Sequence, residues 1–130
     1  MDSHRFHLKI DLIYLYNLSP HNDKCVDCNS KYPMFISINN AVMLCPICAK
    51  KHLQYGYNVS YIRSINDKYD LYLLNYIQRG GNERYLRYCE ETGLNTINSE
   101  ERYNTYGMEY YRVLVCIMYI YIYIYVNCYL

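Results

Sequence analysis

The spacing of apolar positions changes three times in the first part of the chain. Up to Pro20 these positions recur every three or four residues, which predicts an amphipathic helix over about residues 5–18. Residues 21–32 are polar and rich in Asn, Asp and Ser, which is typical of a loop. Two short apolar runs, residues 35–38 and 42–44, are separated by an Asn-Asn pair. This last pattern predicts a small β-hairpin.

Short elements are predicted to follow the hairpin. Residues 49–55 favour a helix that closes at Gly56 in a left-handed conformation, and residues 59–62 favour a third strand. A longer helix over residues 70–79 has one apolar face, and we expect it to stop at the Gly80-Gly81 pair.

Two further helices are predicted after the glycine pair. Asn82 is expected to cap the first of them, and Gly93 is expected to end it. Ser99 is expected to cap the second helix. The buried stripe of that helix is predicted to consist of Tyr103, Tyr106, Tyr110 and Leu114. The fold class is therefore α+β, with a small three-stranded sheet beside a cysteine-rich loop and about five flanking helices.

Composition and charge narrow the class of protein. Of the 130 residues, 52% are hydrophobic and 19% are charged, which indicates a folded domain rather than a disordered chain. The net charge is only +1, whereas proteins that bind phosphates of nucleic acids usually carry a larger basic excess. We therefore expect no nucleic acid partner. Residues 1–7 show no secretory signal, so we expect the seven cysteines to lie in a reducing compartment and to favour metal binding over disulfides.

Four of the cysteines form two Cys-x2-Cys pairs. Cys25 and Cys28 are separated from Cys45 and Cys48 by 16 intervening residues, a spacing typical of a tetrahedral four-thiolate zinc site. The predicted hairpin would bring the two pairs together. Because four thiolates fill the coordination sphere, we expect one structural Zn²⁺ without an open position for water or substrate. Two separate redox motifs are the alternative interpretation.

The remaining candidate ligands and motifs point to no further chemistry. His52 lies close to Cys48, and we interpret it as a helix histidine that packs or hydrogen-bonds. Cys89, Cys116 and Cys128 have no partner at metal-ligand spacing, so we predict that they occupy core or tail positions. The sequence contains no phosphate-binding glycine loop, no HExxH and no Gly-x-Ser-x-Gly.

Several motifs together resemble the zinc-containing domain of the Arf GTPase-activating proteins, the ArfGAP family. The family hallmark is Cys-x2-Cys-x16-Cys-x2-Cys-x4-Arg, and the four cysteines match it in spacing. Further matches are residues 31–37 with Phe35 in place of Trp, residues 56–64 with Asn58 in place of His, Gly80-Gly81-Asn82, residues 102–105 and Tyr111-Arg112. The resemblance covers about residues 10–115, which we predict to be the domain.

The resemblance also implies a fold, a partner and a catalytic group. The fold would be a three-stranded sheet around the structural zinc, and the partner would be an Arf-family small GTPase in its GTP form. The family's arginine after the last cysteine serves as an arginine finger, but Leu53 occupies that position here, which we call the finger position. Arg63 would serve structure instead. The expected contacts with the GTPase are Phe35, Lys50, Lys51, Leu53 and Tyr55.

The leading function is therefore a GTPase-activating protein domain that regulates vesicle traffic, with catalysis weak or lost and GTPase binding kept. We expect a cytoplasmic protein that is recruited to Golgi or endosomal membranes, with peripheral membrane association through its GTPase. One alternative is a GATA-like DNA-binding zinc finger, which uses two similar cysteine pairs but requires a basic surface. A zinc-stabilised scaffold module without a GTPase partner is the other.

Residues 116–130 are predicted to form an aberrant tail outside the domain. No residue from 113 to 130 is charged, and residues 119–125 alternate strictly between Tyr and Ile. Strict alternation is a strand period, and Tyr favours the bilayer interface over its centre, which argues against a membrane span. Because repeated AT dinucleotides encode Ile and Tyr in alternation, we interpret the tail as a translated intron or low-complexity repeat.

Overall fold

The computed structural model describes residues 8–9, 11–69 and 71–129, of which residues 8–9, 71–72, 119 and 121–129 are described by their backbone alone. A three-stranded antiparallel sheet with the order β3-β2-β4 lies beside the cysteine-rich loop, and helices flank it. The predicted α+β class is confirmed. The strands are β1 (Leu8–Lys9), β2 (Phe35–Ser37), β3 (Val42–Leu44), β4 (Ile62–Ser64) and β5 (Lys68–Tyr69).

Six α-helices and one short 3-10 helix occur in the described ranges, close to the predicted five. They are α1 (Leu12–Asn17), α2 (Pro46–Leu53), α3 (Leu71–Arg79), α4 (Asn82–Thr92), the 3-10 turn Leu94–Thr96, α5 (Ser99–Arg102) and α6 (Tyr106–Tyr129). No helix among the described residues has both the length and the hydropathy to cross a membrane.

The first helix is shorter than predicted. Asp11 caps α1, because its carboxylate accepts a hydrogen bond from Ile13 N at 2.8 Å and a longer one from Tyr14 N. Residues 8–9 instead pair antiparallel with β5 in a two-stranded sheet that the helical spacing did not predict. The helix predicted over residues 5–18 was therefore wrong at residues 8–9, and its positions 5–7 and 10 lie outside the described residues.

The hairpin is confirmed and the third strand is displaced. In β2, Phe35 pairs with Leu44 on one side and with Ser64 on the other, which places β2 at the centre of the sheet. The third strand runs over Ile62–Ser64 and not over residues 59–62 as predicted. The backbone N–H groups of the residues at 59 and 60 both donate to the carbonyl of Gly56, so this segment is a turn.

Asn82 does not cap α4, contrary to the prediction. Gly81, with a φ of +100°, stands at the cap position, and the Asn82 side chain bonds to three backbone groups on two other segments instead. Its carbonyl accepts from Met43 N at 2.8 Å, and its amide donates to the carbonyls of His21 and Lys24 at 2.8 and 2.7 Å. The Asn82 side chain therefore joins β3 and the first cysteine loop to the start of α4.

The last part of the fold departs from the single helix that was predicted. Asn98 rather than Ser99 caps α5, since its side chain accepts from Glu101 N at 2.9 Å. The helix ends at Arg102 and α6 begins at Tyr106, so the break shifts the helical phase. Tyr103 is buried as predicted, but the prediction that Tyr106 and Tyr110 lie in the core was wrong, because both are exposed. Among the α6 side chains that the structure describes, Met108, Tyr111 and Val115 are buried and Leu114 is half-buried.

The Ile/Tyr segment is helical, although its alternation is a strand period. Helix α6 continues through residue 129 and passes the predicted domain end at residue 115 without a break. Val115 is buried against the main core, whereas Ile117 and Ile120 are exposed. The backbone hydrogen bonds of one continuous helix outweigh the period of the side chains here. The domain bounds and the origin of the tail stay predictions.

Candidate metal centre and the helix beside it

The two cysteine pairs come together as the hairpin predicted. Cys25 and Cys28 lie on the loop before β2, while Cys45 and Cys48 lie at the start of α2. The four Sγ atoms are within 4.8 Å of one another, and those of Cys28 and Cys45 are 3.6 Å apart. Cys45 is also the N-cap of α2, and its sulfur accepts a hydrogen bond from Cys48 N at 3.4 Å. Local helix capping therefore orients the second pair.

The geometry and chemistry of this cluster fit a zinc site. A tetrahedron with Zn–S bonds of about 2.3 Å has sulfur–sulfur edges of about 3.8 Å, close to the Cys28–Cys45 separation. Three of the cysteines are buried and Cys28 is exposed. All four ligands come from the chain, so such a site would be closed to substrate.

The thiols of the cluster have unequal pKa values before any cation is present. Burial raises the pKa of Cys25 to about 11 and raises that of Cys48 as well. The Ser30 hydroxyl lowers the pKa of Cys28 to about 7, because it donates to a thiolate more favourably than to a thiol. A divalent cation would stabilise the thiolates, so its binding would release protons from Cys25 and Cys48.

The other cysteines lie away from the cluster. Cys89 is buried in the main core, as predicted, and Cys116 is half-buried on α6. The side chain of Cys128 lies outside the described residues. None of the described ones joins the group of four sulfur atoms that lie close enough to share one ion.

His52 is a hydrogen-bonded core residue, as predicted, and it does not belong to the group of candidate metal ligands. Its Nε2 lies 2.7 Å from Asp27 Oδ2, and its Nδ1 lies 2.7 Å from Ser60 Oγ. Asp27 stands between Cys25 and Cys28, so the pair joins the first cysteine loop to α2. The Tyr103 hydroxyl donates to the other Asp27 oxygen at 2.7 Å.

The hydrogen bonds around His52 continue into a closed circuit. Ser60 Oγ lies 2.6 Å from Ser37 Oγ, which accepts from the Asn40 amide at 2.8 Å. Arg112 donates to Asn40 Oδ1 and also to the Tyr103 carbonyl, each at 3.2 Å. Tyr103 in turn contacts Asp27, which closes the circuit. We call this set the buried circuit: Asp27, His52, Ser60, Ser37, Asn40, Arg112 and Tyr103.

The Asp–His–Ser order within the buried circuit has the connectivity of a hydrolase triad but cannot act as one. The His52 ring is fully buried, the Asp27 side chain is 5% exposed and Ser60 is 3% exposed. No substrate carbonyl reaches a serine hydroxyl that is also held by a second serine. The arrangement therefore positions α2 against the sheet and the first cysteine loop.

The sequence analysis did not identify Asp27 and Ser60 as the partners of His52, nor Ser37 and Asn40 as further members of the buried circuit. Asp27 and His52 are 25 positions apart, and Ser37 and Asn40 lie on the hairpin. The one available signal was an acidic residue inside a Cys-x2-Cys pair with a histidine shortly after the second pair. Pairing these two required the fold of the hairpin, which spacing alone does not give.

The finger position lies at the C-terminal end of α2 and faces solvent. Leu53 is 66% exposed, and Ile47 on the same helix is also exposed. Lys50 is exposed, and the Lys51 ammonium lies 3.4 Å from a Glu100 carboxylate oxygen. Of the five expected GTPase contacts, these three α2 residues are accessible, while Phe35 and Tyr55 are half-buried against the core.

Arg63 is held by the surrounding chain, as predicted from its expected structural role. Its Nε donates to Asp67 Oδ2 at 3.2 Å, and its Nη2 donates to the Lys68 carbonyl at 3.1 Å. The guanidinium carbon also lies 5.1 Å from the ring centre of Tyr69. These contacts fasten β4 to β5.

Four clustered thiols on one loop and one helix start, a three-stranded sheet and flanking helices define a small α+β domain with a candidate metal centre. The chain belongs to the ArfGap family. The sequence model of that family, described as "Putative GTPase activating protein for Arf", matches residues 12–117. The resemblance noted from the motifs is thereby confirmed.

Individual relatives agree with the family. ADP-ribosylation factor GTPase-activating protein 3 of Macaca fascicularis is 32% identical over 95 residues, which are 72% of this chain and 18% of that protein. Sporulation protein SPS18 of Saccharomyces cerevisiae is 28% identical over 97 residues and is covered over 32% of its length. The chain thus corresponds to a minor part of these longer proteins.

Solved structures show the same fold. A protein of Cryptosporidium parvum, described as a "putative GTPase activating protein for ADP ribosylation factor", superposes with a TM-score of 0.73 at 23% identity over 85% of this chain and 94% of that one. The ArfGap domain of human RIP superposes with a TM-score of 0.52 at 21% identity over 61% and 60% of the two chains.

Proposed function

We propose that this chain binds an Arf-family small GTPase in its GTP form and accelerates GTP hydrolysis weakly or not at all. The family assignment supports the GTPase as partner. The observation that carries the loss of catalysis is the exposed leucine at the finger position. Leu53 stands where the family motif has arginine, on a helix end that is free to meet a partner.

The missing group is a guanidinium that would neutralise charge in the transition state. Phosphoryl transfer spreads negative charge over the equatorial oxygens, and an arginine finger contributes about 10³–10⁵ in rate. This factor corresponds to about 4–7 kcal/mol of transition-state stabilisation. The Leu53 side chain carries no charge and no hydrogen-bond donor, so it supplies none of that stabilisation.

The basic residues before Leu53 do not replace the finger. His52 is buried and both its ring nitrogens are engaged by Asp27 and Ser60. Lys51 pairs with Glu100, and its ammonium lacks the planar fork that binds phosphoryl oxygens in pairs. The apolar Leu53 still permits docking, because exposed aliphatic surface is compatible with a protein interface.

The zinc ion has a structural part in this proposal. Cys25, Cys28, Cys45 and Cys48 would hold it, and it would supply the cross-link that fixes the start of α2 to the first cysteine loop. Since α2 carries the finger position, the metal and the buried circuit together would set the orientation of the contact surface. The ion itself would contact neither nucleotide nor water in the reaction.

The biological setting follows from the proposed partner. A domain that binds an Arf-family GTPase without stimulating GTP hydrolysis would shield the GTP form from catalytically active members of the family. The GTPase would then stay in its signalling form longer in vesicle traffic. We place the protein in the cytoplasm, at Golgi or endosomal membranes through its partner.

Single-turnover hydrolysis of GTP bound to an Arf-family GTPase tests the proposal. The unmodified chain is expected to give a rate near the intrinsic one, whereas Leu53→Arg should raise the rate by orders of magnitude. Leu53→Lys is the matched control, because it adds charge without the planar fork and should gain far less. Strong activity of the unmodified chain would contradict the proposal.

Binding is measured separately. The chain should bind the GTPase loaded with a non-hydrolysable GTP analogue more tightly than the GDP form. Equal affinity for the GTP-analogue form and the GDP form, or no binding to either, would contradict the proposal that the chain binds the GTPase in its GTP form. This holds whatever the hydrolysis rates are.

A further inference from the structure

Helix α6 has apolar residues on two opposite faces. The inner stripe, Met108, Tyr111 and Val115, is buried against the core. At 100° per residue the opposite face carries a second set, which we call the outer stripe. Its members are between 46% and 91% exposed, and they are Tyr106, Tyr110, Val113, Ile117 and Ile120.

The outer stripe has the spacing of a helix–helix seam. Its members follow one another at intervals of four, three, four and three residues, a mean of 3.5. This is the a/d period of a left-handed coiled coil, in which side chains of one helix insert between those of another.

We propose that the outer stripe of α6 is a self-association surface, which pairs with the same stripe of a second copy of this chain. The inference goes beyond the proposed GTPase contact and does not depend on it. Each copy would use an α6 that its inner stripe already fastens to its own core, so association needs no unfolding.

Charge favours a second copy over other occupants. Glu109 is a charged, exposed residue beside the stripe, and no residue from 113 to 130 is charged, so the seam offers little that would select a partner helix of opposite charge. A helix that lies on a lipid surface typically carries Lys or Arg along its polar face, and α6 carries none after Arg112, which is held by Asn40 and the Tyr103 carbonyl. The members of the stripe are themselves uncharged and apolar, so they can pack against the same residues of a second copy.

The size of the surface agrees with a concentration-dependent dimer. The two tyrosines contribute on the order of 300 Å² per copy. With the three aliphatic side chains, each about half exposed, the stripe stays below the roughly 800 Å² per partner that is typical of specific, stable interfaces. We therefore expect an equilibrium between monomer and dimer rather than a permanent assembly.

Light scattering on the full, zinc-loaded chain over a dilution series tests the proposal. The apparent mass should rise from 15.7 kDa towards twice that value with increasing concentration. Ile117→Glu places two carboxylates in the seam and should abolish the rise, while circular dichroism stays unchanged. The matched control is Ile13→Glu, a change of the same kind at an exposed position of α1, and it should associate like the unmodified chain.

Three results would overturn the proposal. The first is a monomer at every concentration, and the second is a dimer that persists in Ile117→Glu. The third is a chain that is monomeric in solution but sediments with phosphatidylcholine–phosphatidylserine vesicles through Ile117, which would assign the stripe to a lipid surface. If Ile117→Glu loses its helical signal, Val113→Lys replaces it, with the same expected loss of association.

Discussion

The Nε2 atom of His52 and the Oδ2 atom of Asp27 lie 2.7 Å apart in the interior, one on α2 and the other inside the first Cys-x2-Cys pair. Neither side chain is more than 5% exposed. This contact makes the orientation of α2, and with it the finger position, depend on the cysteine loop. It is the best-defined link between the candidate metal centre and the candidate GTPase surface.

Replacement of His52 by Leu should destabilise the domain. The change leaves Asp27 Oδ2 and Ser60 Oγ without their common partner, and an unsatisfied buried polar group costs about 1–3 kcal/mol, more when it is charged. Urea unfolding of the zinc-loaded chain measures the loss. Lys51→Ala is the control, because an exposed ion pair contributes at most about 1 kcal/mol. An equal, small effect of both changes would show that the buried circuit adds little to stability.

Removal of zinc should unfold the metal half of the chain. Structural zinc binds with roughly 10–16 kcal/mol, which is comparable to or larger than the whole stability of an ordinary domain. A chelator, or Cys45→Ser, should therefore abolish the near-ultraviolet signal of the packed tyrosines. Cys116→Ser, outside the cluster, should leave that signal intact. A metal-free chain with the full signal would refute this expectation.

Gly80→Ala should destabilise the contact between the hairpin turn and the start of α4. A Cβ at Gly80 would overlap with that of Ala41, and overpacking of this kind typically costs about 1–3 kcal/mol. Ala41→Gly should restore stability in the double variant, since it removes the overlapping atom. Ala41 has a φ of +53°, a conformation that glycine adopts readily. Thermal unfolding of the two single variants and the double variant forms the test, and additive losses would contradict the proposed overlap.

Stability should fall at alkaline pH. Burial raises the pKa values of Tyr55 and Tyr76 to about 12, and those of the deeper Tyr85 and Tyr111 also rise. A raised pKa favours the protonated phenol in the folded state. The contribution of each buried phenol to the free energy of unfolding is fully present below the tyrosine pKa of the unfolded chain, about 10. It is lost as the pH rises through the tyrosine pKa of the folded chain. Unfolding free energies measured from pH 8 upward should decrease above pH 10.

Tyr111→Phe provides the matched variant for the alkaline transition. The Tyr111 hydroxyl is buried and has no hydrogen-bond partner among the described residues, so its loss should not weaken the neutral domain. The variant should lose stability less steeply above pH 10, because one buried titrating group is gone. An identical pH profile would show that tyrosine ionisation does not drive the transition.

The sequence predicted the features that depend on local spacing. The two cysteine pairs, the hairpin at residues 35–44 and the left-handed end of α4 at Gly93 are all set within a few residues. The failures arose from competition between partners. Asn82 is a good capping residue by type, but its amide bonds to segments about 40 to 60 positions away, so it could not be assigned from its neighbours.

The phase of the last helix failed for a related reason. Tyr103 was correctly predicted to be buried. The break after Arg102, however, changes which residues of the following helix face the core. Thr105 caps that helix, because its hydroxyl accepts a hydrogen bond from Met108 N. The three residues between α5 and α6, residues 103–105, change the helical phase and place Tyr106 and Tyr110 at the surface. The chemistry of the candidate site was predictable from the cysteines, whereas its support by Asp27 and His52 depended on tertiary contacts.

The junction at Asn82 also bears on the order of events in folding. Its side chain closes loops of about 40 to 60 residues in one step, and Gly81 N donates to the Ala41 carbonyl at 2.8 Å beside it. Closing a loop of this length costs conformational entropy that the contacts of the junction repay only once it is closed. This junction should therefore assemble after the hairpin and the cysteine loop have met. Amide hydrogens of Met43 and Asn82 would then exchange with solvent only when the two halves of the domain separate together.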